Sequence, residues 1–367
     1  MEEKIMKKAL VAKLALAGAV GLAAAMASGT ANATDCNACH TMHNSQDGAS
    51  MRFDAGTTPL PILLRGSCIY CHSGLNTTAT IAVEPPKVIG TAAPTYSGLA
   101  GTSAAGGTLA GGDFWYVGNV GDFAGHNVNL VDAADATLGN TPPGGAALGA
   151  QLECAGTLGC HGDPAVLDPL GSLSGAHHAP HNDVTDVLDG LTVGTSFRYL
   201  LGTLGREDTD WQFSETAADH NRYNGLARTA DTAAATTATI SGMCAGCHGS
   251  YHNSAVGTDG FGINTNNADF TAAGAQWIRH PTDYEMSAVA GEYANFTTYQ
   301  PETPVGRLAA SLGVAGDDVS AGNRIVLCVS CHRAHGSPYA DALRWSYGTM
   351  DVGTGVTNGC MNCHTAK

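Results

Sequence analysis

Apolar residues in this chain do not recur with the period of a long helix or strand, except in one run near the N-terminus. Residues 14–26 consist wholly of Ala, Leu, Val, Gly and Met, and four lysines precede them. A basic start, an apolar run and the small residues of Ala31-Asn32-Ala33 are the three parts of a secretory signal. The run is shorter than the ~20 residues that span a bilayer. The pattern therefore predicts a signal peptide at residues 1–33, followed by an exported chain without a membrane span.

The rest of the chain predicts only short elements. Helices are expected at 303–312, at 337–347 and in short stretches from Leu170 and over 275–280, while residues 113–117 fit a short strand or a packing loop. The chain is rich in Gly, Ala and Thr, with 6% aromatic and 13% charged residues, which promises a poor protein core. We therefore expect mostly irregular coil with short α-helices and little or no β-sheet. Residues 34–367 would form a single elongated unit whose apolar bulk comes from a group that is not protein.

The excess of acidic residues argues against negatively charged partners. It has 17 Lys and Arg against 32 Asp and Glu, a formal net charge of −15. Without residues 1–33 these counts become 13 and 30, since four Lys and two Glu are removed, and the charge becomes −17. A chain this acidic is not expected to bind nucleic acid or anionic lipid.

All twelve cysteines fall into six close pairs, and a histidine directly follows the second cysteine of every pair. Such C-x-x-C-H motifs attach c-type haem: the thiols bond to the porphyrin vinyl groups and the imidazole binds the iron. A disulfide framework would not need these histidines, and structural zinc would use the pairs two at a time and leave most histidines unexplained. The predicted attachment cysteines are Cys36, Cys39, Cys68, Cys71, Cys154, Cys160, Cys244, Cys247, Cys328, Cys331, Cys360 and Cys363. The predicted proximal ligands are His40, His72, His161, His248, His332 and His364.

The third motif departs from the standard spacing, with five residues between Cys154 and Cys160. The longer loop must bulge, which Gly156 and Gly159 allow. Attachment through Cys160 alone stays open as an alternative.

Nine histidines remain after the six proximal ones, which is enough for a second ligand on every iron, so we predict six bis-histidine haems. A histidine that closely follows a motif lies about one helical turn from the proximal histidine, on the same side, and is better placed to bind a different iron. Adjacent helical side chains diverge by about 100°, so His177 and His178 cannot both face one iron, and His178 is favoured. The predicted distal ligands are His43, His126, His178, His252, His280 and His335, with His177, His181 and His220 as alternatives.

Several segments, spread over most of the chain, resemble one known family. They include CNACHTMHNS at Cys36, GGDFWYV at Gly111, CHGSYHNSA at Cys247, CVSCHRAHGS at Cys328 and the terminal CMNCH. They are similar in content and order to the extracellular multihaem c-type cytochrome filaments, or cytochrome nanowires, of metal-reducing bacteria, in the hexahaem OmcS type. The departure is the third motif, since that type has standard spacing there and a distal histidine close behind.

The resemblance implies an electron-transfer protein without catalytic residues, whose haems form a continuous chain. It implies a homopolymer in which His43 completes the coordination of a haem in the adjacent subunit. The implied partners are other redox cytochromes and extracellular metal oxides, and the implied location is outside the cell or at its surface, with the periplasm as an alternative. A monomeric electron shuttle and a multihaem reductase stay open as other functions, although the chain has no C-x-x-C-K motif.

Overall fold

The computed structural model describes residues 36–81, 84–96, 107–177, 187–228, 238–251, 280, 282–286, 293, 296–316, 318–350 and 359–365. The chain divides into two compact units, one ending at Arg65 and the other beginning at Gly66. The predicted signal at residues 1–33 lies outside the described residues. The expectation of one elongated unit from residue 34 onward stays a prediction.

The α-helices of the described residues are only four to six residues long. They are α1 (Cys36–Cys39), α2 (Cys68–His72), α3 (Trp115–Val120), α4 (Pro169–Ser172), α5 (Ile240–Ala245) and α6 (Cys328–Cys331). Short 3₁₀ helices occur at Pro61–Leu63, Asp122–Ala124, Val193–Thr195, Phe197–Tyr199, Gly249–Tyr251, Ala309–Ser311, Ala340–Ala342, Tyr347–Thr349 and Gly359–Asn362. Helices this short are unstable alone in water, so tertiary contacts must hold them. None of these helices has the length and apolar character that crossing a membrane requires.

The strands of the described residues form four separate pairs. β1 (Ser45–Gln46) pairs with β2 (Ala49–Ser50), β5 (Gly205–Arg206) with β6 (Arg222–Tyr223) and β7 (Tyr284–Glu285) with β8 (Ile325–Val326), all antiparallel, whereas β3 (Glu153–Ala155) runs parallel to β4 (Gly159–His161). Each strand has only two or three residues. The predicted fold class, irregular coil with short helices and very little sheet, is confirmed.

The helix predicted at 303–312 is wrong, since only Ala309–Ser311 is helical. The reason is pairing with distant segments. The backbone N–H of Gly306 donates to the carbonyl of Ile325 at 2.7 Å, and that of Arg307 donates to Tyr223 at 2.9 Å. Backbone groups that bond across the chain cannot also close helical turns.

Two other predicted elements also differ. The helix expected at 337–347 is replaced by single 3₁₀ turns, because Asp341 and Ala342 have positive φ values of 58° and 52°, which interrupt a right-handed helix. Residues 113–117, expected as strand or loop, lead into helix α3 instead.

Apolar side chains of the described residues gather in several small clusters rather than one core. One cluster contains Phe197, Leu200, Tyr223, Ile240, Ile325 and Leu327, and another contains Met286, Phe296, Tyr299, Val305 and Val326. Arg307, Arg333 and Arg344 are among the most completely buried side chains. Protein side chains alone therefore supply a divided core, as the composition predicts.

Candidate haem sites

The standard motifs form single helical turns that bring both cysteines to one side. Helices α1, α2 and α6 each begin at the first cysteine of a motif. The backbone N–H of the motif histidine closes the turn by donating to the carbonyl of that cysteine, at 2.8 Å for His40 and 3.1 Å for His332. Because residues three apart share a helical face, the turn presents two thiols together and the imidazole directly after them. No disulfide bond joins any two of the twelve cysteines, all of which are among the described residues.

In the third motif, it is a loop between β3 and β4 that connects the two cysteines and takes the place of the helical turn. Gly156 in this loop has a φ of 81°, and a Cβ atom built there would lie 2.6 Å from the carbonyl oxygen of Val166. A Cβ atom on Gly159 would lie 2.4 Å from the backbone nitrogen of Ala155. The bulge therefore requires both glycines. Gly156 has a positive φ and no room for a Cβ atom, and Gly159 has no room for a Cβ atom.

Five motif histidines have the same hydrogen bond on Nδ1. His40 donates to Ile62 O at 3.0 Å, His72 to Pro86 O at 2.8 Å, His161 to Arg198 O at 2.8 Å, His248 to Pro143 O at 2.8 Å and His332 to Asp341 O at 2.7 Å. A carbonyl oxygen can only accept, so Nδ1 must carry the proton. The lone pair is then on Nε2, and the hydrogen bond fixes the ring orientation of a metal-binding histidine.

Burial keeps several of these rings in the neutral form that binds a metal. It lowers the pKa of His72 to about 4 and the pKa of His335 to about 3. Burial is also the main cause of the lowered pKa values of the half-buried His126 and His161. These imidazoles are neutral at pH 7, as ligation requires.

Four motif histidines each face a second imidazole. The ring centroids are 6.1 Å apart for His72 and His177, 6.3 Å for His161 and His335, 6.0 Å for His248 and His126, and 6.2 Å for His364 and His280. Every pair joins one motif histidine to one histidine outside the motifs, so each pair contains one proximal and one candidate distal ligand.

The spacing of these pairs fits an iron between the rings. Metal–imidazole bonds of about 2.0 Å on either side, plus about 1.1 Å from each Nε2 to its ring centre, give roughly 6.2 Å between centroids. The four observed distances lie within about 0.2 Å of this value. The residues present therefore fit a haem iron, which supplies reversible one-electron chemistry when bound.

The remaining predicted ligands are placed as follows. His43 is exposed near the start of the described residues. His178, the favoured member of its cluster, lies outside the described residues, as do His181 and His252. It is His177 whose ring faces His72, and no sequence signal separated this residue from its neighbour.

His220 is placed differently from every paired histidine. Its Nδ1–H donates to Thr216 O at 3.1 Å, and its Nε2 accepts from Nη2 of Arg307 at 3.2 Å. The ring stacks on Tyr299 with centroids 3.6 Å apart. Both nitrogens are occupied, so this imidazole has no lone pair to offer to an iron.

Cysteines of successive motifs also lie close to one another. The thiols of Cys68 and Cys154 lie within hydrogen-bond reach, and so do those of Cys244 and Cys328. The attachment points of motifs two and three, and of motifs four and five, are therefore adjacent. Haems attached at these cysteines would lie close together, as short-range electron transfer requires.

Repeated motifs of this geometry, with cysteines for covalent attachment and an oriented imidazole for the iron, are typical of multihaem c-type cytochromes. A family model described as the doubled CXXCH motif matches residues 319–367, which contain the last two motifs. The chain is 29% identical to the C-type cytochrome OmcS of Geobacter sulfurreducens over 379 residues, covering 93% of this chain and 86% of the relative. The chain is thus similar to OmcS over most of its length, and its cysteine–histidine motifs are those that attach haem c covalently.

Two solved structures are also similar to the chain. One is described as the Outer Membrane Cytochrome S Filament from Geobacter sulfurreducens, with 25% identity, a TM-score of 0.47 and coverage of 86% of this chain and 84% of the other. The second is described as OmcS nanowires from Geobacter sulfurreducens, with 23% identity, a TM-score of 0.44 and coverage of 85% and 83%.

Proposed function

We propose that this protein conducts electrons outside the cell through six covalently attached haems, each with two histidine ligands. The observation that carries the proposal is the set of four imidazole pairs at 6.0 to 6.3 Å, each with one motif histidine. An iron with two imidazole ligands has no open position for a substrate, so its function is to accept and pass on an electron.

In this proposal four irons are closed within the chain. They are bound by His72 with His177, His161 with His335, His248 with His126, and His364 with His280. His177 replaces His178, which the sequence favoured, because its ring faces His72. His220 is left out because both of its nitrogens are in hydrogen bonds.

Two irons, those of His40 and His332, take their second ligands from His43 and His252. Among the described residues no histidine ring faces His332 at the distance found in the four pairs. His43 and His252 each follow their own motif histidine by three or four residues, so each suits the iron of another haem. We assign His252 to an iron of its own chain and His43 to an iron of a second copy.

Assembly into a homopolymer follows from the assignment of His43. Its side chain is exposed, and Met42 beside it is 85% exposed. The relative OmcS, 29% identical over most of the chain, is a filament in its solved structures. A ligand exchanged between copies would extend the haem chain from subunit to subunit. The conducted electrons would come from other redox cytochromes and pass to extracellular acceptors such as metal oxides or electrodes.

Replacing His43 tests the proposal. The variant His43→Ala is expected to carry all of its haem as a folded monomer and to form no filaments in negative-stain micrographs, because the ligand between copies is lost. Gln46→Ala is the matched control, since Gln46 is also exposed in the same segment and has no imidazole. Normal filaments from His43→Ala would contradict the role of His43.

The spectrum of the oxidised protein tests the closed irons separately. We expect low-spin ferric signals from all haems of the assembled protein at neutral pH, because two imidazoles give a strong ligand field. A large high-spin signal that changes on addition of nitrite or hydroxylamine would identify a reductase instead. Purely monomeric native protein with low-spin haems would identify an electron shuttle.

A further inference from the structure

We propose that the segment His332–Gly336 is a junction that positions ligands of three irons at once. The inference rests on the bis-histidine ligation proposed above and adds a mechanical link between haems. His332 is the proximal ligand of motif five, and His335 faces His161 of motif three at 6.3 Å. Between them, the carbonyl of Ala334 accepts the Nδ1–H of His126 at 2.6 Å. His126 faces His248 of motif four, so five residues determine the ligand positions of three successive motifs.

Backbone hydrogen bonds fasten this junction to two distant segments. The N–H of His335 donates to Gly111 O at 2.7 Å, and the N–H of Asp113 donates to Gly336 O at 3.0 Å. On the other side, the N–H of Ser337 donates to Ala124 O at 2.9 Å. The segment holding His335 and the segment holding His126 are thus tied by backbone bonds as well as by the imidazole.

Glycines make these close approaches possible. Gly112 has a φ of 83°, and a Cβ atom there would lie 1.9 Å from the carbonyl oxygen of Gly336. On Gly125 it would lie 2.4 Å from the carbonyl oxygen of His335, and on Gly111 it would lie 2.7 Å from His335 Nδ1. These distances leave no room for a side chain, so the positions of both distal ligands depend on bare backbone.

Two further contacts hold the junction, one made by a buried arginine and one by an aromatic ring. Arg333 is 1% exposed, and its Nη1 donates to Leu109 O at 2.7 Å. The ring of Phe114 lies 4.7 Å from that of His335. Arg333 and Gly336 are buried, whereas His332 and Ala334 are exposed. The link between the ligands therefore depends on the backbone bonds and the His126 imidazole rather than on exclusion of solvent.

Removal of a single distal ligand tests this link. In His126→Ala, the iron of motif four is expected to become high-spin. The low-spin g-values of a second haem, that of motif three, are also expected to shift because Ala334 loses its donor. His280→Ala is the matched control: it removes the distal ligand facing His364, outside the junction, and should alter one haem only. Electron paramagnetic resonance with spin quantification of the full-length holoprotein gives the number of high-spin irons and the number of haems whose low-spin g-values shift.

Glycine variants give an independent measurement with every ligand kept. Gly112→Ala is expected to shift the spectra of two haems, because it displaces Gly336 and with it both Ala334 and His335. Gly48→Ala is the control for backbone strain, since Gly48 has a nearly equal φ of 80° and no atom within 4 Å of a Cβ. It should shift neither of these two haems.

The outcomes distinguish failure of the junction from failure of the proposed bis-histidine ligation. If His126→Ala alters one haem only, as His280→Ala does, and Gly112→Ala alters none, the junction is wrong while the ligand pairs stand. If neither histidine variant produces high-spin iron, the proposed ligation itself is wrong. If Gly112→Ala yields no holoprotein, the comparison of His126→Ala with His280→Ala decides the question alone.

Discussion

The hydrogen bonds of the two ring nitrogens distinguish the half-buried His72 from the buried His220, although desolvation strongly lowers the pKa of both imidazoles. His72 donates from Nδ1 to Pro86 O, and its ring centroid lies 6.1 Å from that of His177. His220 uses both nitrogens, on Thr216 and Arg307. Burial alone therefore does not distinguish a haem ligand from a structural histidine, whereas hydrogen bonding does.

The buried His220 is expected to make stability depend on pH. Burial, with help from Arg307, lowers its pKa to about 3 from an ordinary value of 6.5. Between these values the unfolded chain binds a proton that the folded chain does not, so stability is full above pH 6.5 and falls as the pH decreases. For one group the loss between pH 7 and pH 5 is roughly 2 kcal/mol.

In the variant His220→Gln, the free energy of unfolding should differ between pH 7 and pH 5 by about 2 kcal/mol less than in the unchanged protein. Denaturant unfolding of the holoprotein at the two pH values measures this difference. Glutamine can still donate to Thr216 and accept from Arg307, so the fold is kept. The haem spectrum should be unchanged, in contrast to His126→Ala. Loss of low-spin haem in His220→Gln would show that His220 is a ligand after all.

At the scale of single elements, the loop of motif three depends most visibly on particular residues. Gly159→Ala places a Cβ atom 2.4 Å from backbone atoms of Ala155, which cannot move without breaking the strand pair β3–β4. We expect mature protein with one haem fewer per chain, measured by intact-protein mass spectrometry. Gly149→Ala, at a site with open space, is the matched control and should keep every haem. An undiminished haem count in Gly159→Ala would mean that the loop can adopt another conformation.

Elements whose cause is local could be predicted from the sequence. The spacing of C-x-x-C-H fixes a helical turn, and the two glycines of motif three are visible in its loop. The helix expected at 303–312 failed because Gly306 and Arg307 bond to Ile325 and Tyr223, which local propensity does not reveal. The sequence favoured His178, which lies outside the described residues, whereas the ring that faces His72 is that of His177. Candidate ligands could therefore be listed from the sequence, whereas their pairing depends on the folded chain.

For the whole molecule, the dominant physical property is negative charge. The formal net charge is −15, and each attached haem adds carboxylates of its own. Copies of such a chain repel one another over a distance set by the ionic strength. The proposed assembly between copies must therefore draw on bonds strong enough to overcome repulsion, as a metal–ligand bond is.

Filament formation is accordingly expected to increase with salt. Raising the ionic strength from about 0.01 M to about 0.15 M shortens the Debye length from about 30 Å to about 8 Å. Light scattering and negative-stain microscopy at equal protein concentration should show more and longer filaments at the higher salt, and sucrose at matched osmolarity should have no such effect. Filaments that dissociate as salt is added would indicate that opposite charges hold the copies together.

The Nδ1–carbonyl bonds of the five motif histidines also bear on the energetics of the proposed conduction. A carbonyl acceptor makes an imidazole more electron-rich, and an electron-rich ligand favours the ferric state of its iron. The same kind of acceptor recurs at 2.7 to 3.0 Å from motif to motif, so these ligands bias all five irons alike. Their contribution leaves each site nearly level with the next. This ligand contribution therefore favours no direction of electron flow along the proposed haem chain, and any direction must come from the other surroundings of the irons or from the donor and acceptor at the two ends.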